Sequence, residues 1–166
     1  MDVRKTLFWL KVHGFFMQFL SAIDKIRAVR ESLINNRQAD LLRISLDLSA
    51  LIKLRIQTKG ESAAGTPFEP YTPYSKRLRK EKGYQVGFVD FTQTGQMWAS
   101  IRPRVLAHSD DETTVVIESG NTRGQEILVK QEPKRGNILT PNQAEIKIVT
   151  DANTRRILTR LQPLLQ

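Results

Sequence analysis

K-G-E-S-A-A-G-T-P-F-E-P-Y-T-P, Lys59 to Pro73, is the stretch on which the reading of this chain turns. Pro67, Pro70 and Pro73 each fix φ, and each pushes the residue before it (Thr66, Glu69, Thr72) out of the α region. Gly60 and Gly65 supply the sharp entry. Phe68, Tyr71 and Tyr74 are interleaved with the prolines, so the segment reads as a stiff, extended loop carrying aromatic rings. Such a loop loses little entropy on docking. Phe68, Tyr71 and Tyr74 are therefore expected as anchors in a neighbouring subunit; the plainer reading is a cover over the chain's own core.

Downstream comes K-R-L-R-K-E-K, Lys76 to Lys82, the densest basic cluster in the sequence. It reads as a flexible basic loop whose Lys76, Arg77, Arg79, Lys80 and Lys82 meet DNA or an acidic partner through sequence-independent contacts. A merely solvated loop is the alternative. Gly83 and Gly87 bracket a short aromatic and β-branched piece, Tyr84 to Phe91. Then D-F-T-Q-T-G-Q-M-W-A-S-I, Asp90 to Ile101, closes the region. Thr94-Gly95 opens a short helical turn that puts Met97, Trp98 and Ile101 on one face. Trp98 is most simply a core residue.

Two strands of a hairpin follow, Ile101 to Ala107 and Thr113 to Glu118, joined by the turn residues His108-Ser109-Asp110-Asp111. A third strand is expected over Gln125 to Lys130. The last helix has the strongest start signal: Thr140 as N-cap, Pro141 at the first helical position and Gln143 completing a capping box. Its apolar side is Ile146, Val149, Ile157, Leu158 and Leu161, and Pro163 is expected to end it. The polar run Thr150 to Thr154 could interrupt it, and Glu145 to Val149 could instead be a strand.

Upstream, Thr6 to Leu20 is unusually apolar but too short and too broken by Lys11, His13, Gly14 and Gln18 for a membrane span. Lys11 also falls inside what would be a signal peptide's apolar core. The segment reads as a helix, with Phe15, Phe16, Phe19, Leu20, Ile23, Ile26 and Val29 forming a broad stripe. Trp9 and Phe8 lie outside that stripe. This is more aromatic surface than one face buries, so Trp9, Phe15 and Phe16 are expected at a subunit contact. Asn35-Asn36 reads as a break before a second helix over Gln38 to Gln57. The organisation expected is an apolar arm over 1–35 and a single α+β domain over 36–166.

The pattern G-T-P-aromatic-x-P-aromatic-T-P, a basic stretch, then T-G-x-hydrophobic-x-x-S-I resembles the virion-morphogenesis and tail-completion (neck) family of tailed bacteriophages. Gly65, Thr66, Pro67, Phe68, Pro70, Tyr71, Thr72, Pro73, Thr94, Gly95, Ser100 and Ile101 carry the match, which extends more weakly over Phe15 to Leu161. From Ile127 to Pro141 the chain departs from the family's pattern and keeps only the Leu139 step. The resemblance implies a structural virion protein, assembled in the host cytoplasm and residing in the neck. It implies a homo-oligomer in a six-fold ring between portal or head–tail connector proteins and tail terminator or tail tube proteins. Contact with packaged DNA would be non-specific.

Composition narrows the chemistry. Cysteine is absent, so neither disulfides nor thiolate metal sites can form. His13 and His108, the only histidines, lack ligand spacing, and Asp110-Asp111-Glu112 reads as a solvated hairpin tip. No phosphate loop or nucleophile elbow occurs. The expectation is no enzyme, no metal, no cofactor and no membrane association. A net charge of +9 favours polyanionic partners, and the alternative function is a small basic nucleic-acid-binding module. The fold expected is α+β: two N-terminal helices, an antiparallel sheet of three to four strands, and a C-terminal helix packed on the sheet.

Overall fold

The computed structural model describes residues 3–92, 95–109 and 111–166; side chains are described for Met17 and from Phe19 onward within those ranges. The fold is α+β. A long first helix α1 (Val3–Lys59) is followed by α2 (Pro73–Glu81), α3 (Gln96–Ser100), the antiparallel pair β1 (Ile101–His108) and β2 (Thr113–Ser119), α4 (Thr122–Arg135) and α5 (Gln143–Leu165). Two compact units result, one from residues 1–37 with 154–166, the other from residues 38–153. The C-terminal thirteen residues, Thr154–Gln166, thus group with the N-terminal ones.

One helix stands where two were expected. No glycine or proline occurs from Phe15 to Lys59, and Asn36 costs only ~0.5 kcal/mol as a helix residue. Its Nδ2 donates to the Ser32 carbonyl at 2.8 Å, so the side chain is satisfied inside the helix. The helix stops at Gly60, whose φ of +66° is a left-handed C-terminal cap, with its N–H bonded to the Ile56 carbonyl at 2.9 Å. A β-carbon at Gly60 would meet the Phe88 ring at 2.8 Å, so this position excludes side chains twice over.

The core of the larger unit forms where the end of α1 (Ile52, Ile56) meets Phe68, Val89, Met97, Trp98, Leu128 and Ile138. Gly124 lets α4 approach β2 closely, because any β-carbon there would collide with the Ser119 and Ser100 hydroxyls. In the smaller unit, Lys25 Nζ donates to the Leu165 and Gln166 carbonyls at 3.3 and 3.0 Å, and Leu161 is buried.

The hairpin is as expected, with Ile101 opposite Ser119 and a bulge between Val105 and Ala107. The third strand is not: Gln125–Lys130 lies inside α4. Asn121 caps that helix, its Oδ1 accepting from the Gly124 N–H at 2.6 Å, and Gly124, Ile127 and Leu128 meet the core at helical spacing. It is α4 that packs against β2, the place the sequence gave to the C-terminal helix. That last helix begins two residues later than its first signal. Asn142 and Glu145 form the capping box, exchanging 2.8 Å bonds between each side chain and the other's N–H. Glu145 wins over Gln143 because it also binds buried Arg55. Residues 145–149 are helical, the polar run 150–154 does not interrupt α5, and Pro163 sits within its last turn.

Replacing Gly60 with alanine should destabilise the larger unit by ~2–4 kcal/mol, combining left-handed strain with overpacking against Phe88. Urea unfolding followed by circular dichroism reads this directly; a loss under ~0.5 kcal/mol would show that the helix end relaxes freely.

Candidate functional site

The two motif halves singled out in the sequence converge on one buried carboxylate. Asp90 is 6% exposed, and its Oδ1 accepts from the Tyr71 hydroxyl (2.9 Å), Arg79 Nη2 (2.9 Å) and the Thr92 N–H (2.9 Å). Its carbonyl accepts from Trp98 Nε1 at 3.0 Å. Arg79, equally buried, donates its other N–H groups to the Gln85 and Thr92 carbonyls at 2.9 and 2.7 Å. Its guanidinium lies over the Tyr71 ring at 4.3 Å and near Tyr84 at 5.5 Å. Tyr71 comes from the proline loop, Arg79 from α2, and Asp90 and Trp98 from the second motif, so the network joins three segments.

Backbone geometry beside it is strained. Phe91 has φ of +52°, a conformation that costs a bulky residue ~1–3 kcal/mol. The bonds to Thr92 hold the following residue in place, and the Phe91 ring packs edge-on against Phe68 at 5.3 Å. The Glu61–Pro67 bridge and the Phe68 N–H bonded to the Gly60 carbonyl close the loop on itself.

These contacts redistribute the expected site. Phe68, expected as an anchor in a neighbouring subunit, is 7% exposed and belongs to its own chain's core. Tyr71 is half-buried and bound to Asp90. Tyr74 alone of the three rings is exposed, at 67%. The basic segment is not a flexible loop but helix α2, capped by Thr72, whose Oγ1 accepts from the Ser75 N–H, and started by Pro73. Arg79 faces inward. Lys76, Arg77 and Lys80 share the outer face with Tyr74, and Lys82 caps the end. Arg77 pairs with Glu81 at 3.4 Å in full solvent. The outer face of α2 is thus a cationic surface with one aromatic ring, held from behind by the Asp90 network.

A concavity of about 330 Å³ lies on the inner side of α2, between Tyr71 and Thr72 and the end of α4. Arg135 there donates to the Glu69 carbonyl at 3.1 Å and to Gln131 Oε1, and stacks near Phe91. The second buried ion pair, Arg55 to Glu145 at 2.8 Å, is equally occupied: Arg55 also donates to the Glu61 and Thr140 carbonyls. Nothing local distinguishes Arg79 from the exposed bases around it; Arg55 falls at helical spacing with Leu48, Leu51 and Ile52, but its partner Glu145, 90 residues on, was not legible.

Trp9, Phe15, Phe16 and His13 have side chains outside the described residues, as do Thr94 and Asp110 entirely. His108 is exposed, with Nδ1 2.8 Å from the Thr113 hydroxyl at the hairpin end. Among the described residues, no three His, Asp or Glu side chains gather as a metal site, and no helix is long and apolar enough to cross a membrane. No family model, curated protein or solved structure matches the chain.

Burial, then the Asp90 charge, pushes the Tyr71 hydroxyl up to about 12 from its ordinary 10. Its neutral form is the one the fold favours, so the associated stability is complete below pH 10 and is lost as pH rises through 10 to 12. Tyrosinate absorbance should show one late-titrating group of the three tyrosines, absent in Tyr71→Phe; three coincident titrations would contradict the network. Phe68→Ala should destabilise the fold by ~3–5 kcal/mol, where an external anchor would leave stability unchanged.

Proposed function

We propose that this chain is a structural virion protein of a tailed phage, a neck or tail-completion ring subunit that joins the head-side connector to the tail. The observation that carries the reading is the meeting of the two resembling motifs at Asp90: Tyr71 of the first and Trp98 of the second bind the same residue. A sequence pattern split by a basic helix then has one physical purpose, which is to fix α2 rigidly while turning its cations outward.

Assembly draws further support from the first helix. Met17, Phe19, Ile26 and Leu33 are between 40% and 68% exposed. Exposed apolar side chains in this number on one helix suit a surface that a neighbouring subunit covers. A closed ring needs two different complementary patches on each copy. The apolar helix is one candidate, and the chain's interfaces with connector and tail would use others. Facing the ring's axis, Lys76, Arg77 and Lys80 would attract passing phosphates without reading bases, as a conduit for a whole genome requires.

The α2 face also favours a second reading, a small basic nucleic-acid-binding module. Mass in solution separates the two. A ring subunit should give an oligomer, six-fold under this proposal, whose mass is unchanged across salt. A binding module should remain a monomer whose DNA affinity falls steeply with salt. In the ring, replacing Lys76, Arg77 and Lys80 together with glutamine should leave the mass unaltered and reduce the salt slope of residual DNA binding by about 2–3. A monomer at high concentration with no DNA affinity would overturn both.

A further inference from the structure

The two edges of the hairpin are not alike. Gly120 N–H donates to the Ser100 carbonyl, and with Ile101 opposite Ser119 this sets the alternation along the ladder. Arg102 with Glu118 and Arg104 with Val116 are the mutually bonded pairs. Pro103, opposite Ile117, therefore has its missing N–H on the outer edge of β1. That edge also carries the bulge after Val105 and is flanked by Arg102 and Arg104, devices that discourage further pairing. On β2 the outward-directed backbone groups are those of Val115 and Ile117. This edge has no proline, no extra residue and no lysine or arginine.

The β2 strand forms one wall of a groove of about 560 Å³, whose other walls are α1 at Ser45 and Leu48, α4 at Leu128 and Val129, and the loop at Leu139. An extended backbone placed ~4.8 Å from β2 would sit in this groove. The groove's ionisable side chains are Glu118 and Glu132, with no cation, in a chain of 26 basic and 17 acidic residues. Glu118 is already bound by Arg104, whose hydrogen bond lowers its pKa. Glu132 remains to meet an incoming positive charge.

We infer that the groove between β2 and α4 binds an extended segment of another protein by strand addition, apolar at alternate positions and bearing a lysine or arginine opposite Glu132. Main-chain bonds to Val115 and Ile117 would supply affinity, and the apolar walls would select alternate side chains. Pairing of β2 with β2 of a second copy is disfavoured, because it would set the glutamates of the two grooves against each other.

The test uses the full chain and a labelled peptide set, capped Lys-Xaa-Thr-Xaa-Thr-Xaa-Lys with Val, Ile, Leu or Phe at Xaa, followed by fluorescence anisotropy. At least one member should bind saturably and slow amide exchange at Val115 and Ile117. Glu132→Lys and Val129→Asp, both at exposed positions of α4, should each weaken binding by about tenfold with circular dichroism unchanged. N-methylation of alternate peptide residues should abolish it. Absence of saturable binding across the set would overturn the inference, as would binding indifferent to N-methylation. Exchange protection at Val115 and Ile117 that rises with protein concentration alone would overturn it in favour of self-pairing.

Discussion

A carboxylate taken out of water must be completely paired, and in this chain that constraint falls on Asp90. Removing an ion from solvent costs several kcal/mol, which only close geometry and additional hydrogen bonds offset. The Asp90 Oδ1 accepts from a phenol, a guanidinium and a backbone N–H, and its carbonyl accepts from an indole. Its partners come from different segments: Tyr71 from the proline loop, Arg79 from α2, Thr92 from the chain just beyond Asp90 and Trp98 from α3. The stretch from Tyr84 to Thr92 belongs to no helix or strand, so the contacts of Asp90 and Arg79 supply its register. The strain at Phe91 persists because the residues on both sides of it are held.

The Arg55–Glu145 pair does the same work for a different set of segments. Glu145 caps α5 and binds an arginine near the end of α1, so the start of one helix is fixed relative to the stop of another. The apolar core holds Ile52, Ile56, Val89, Trp98 and Ile138, all nearly inaccessible. Apolar burial drives the collapse, and the ion pairs select which collapsed arrangement forms. The surfaces left over are consequences of that selection: a cationic outer face on α2, apolar side chains along α1, and an unpaired edge on β2.

Local signals carried much of this fold, and long-range ones carried almost none. The hairpin was legible because T-T-V-V-I-E alternates and is bounded by turn residues; the turn at Gly95 with buried Met97 and Trp98 was legible from spacing. The loop at Phe68 was recognised as stiff, but whether its ring points inward depends on Phe91 and Leu128, far away in sequence. Ile127-Leu128-Val129 has the composition of a strand, and Asn121 as a cap with Gly124 against two serines overrides it. At α5 two capping signals overlap, Thr140 with Gln143 and Asn142 with Glu145. Only the partnership with Arg55 decides between them. Arg79 was counted among exposed bases because a helix's inward face cannot be read from a run of lysines and arginines.

The central claim is that Arg79 and Asp90 act as one unit that locks the two motif halves together. A double-mutant cycle measures it: unfolding free energies of the native chain, Arg79→Met, Asp90→Leu and the double variant, with Trp98 fluorescence as the probe. The account predicts two strongly destabilised single variants and a coupling of about 2–3 kcal/mol, the double variant losing far less than the sum. Additive losses agreeing within ~0.5 kcal/mol would contradict it, because the two charges would then stabilise the fold independently of each other.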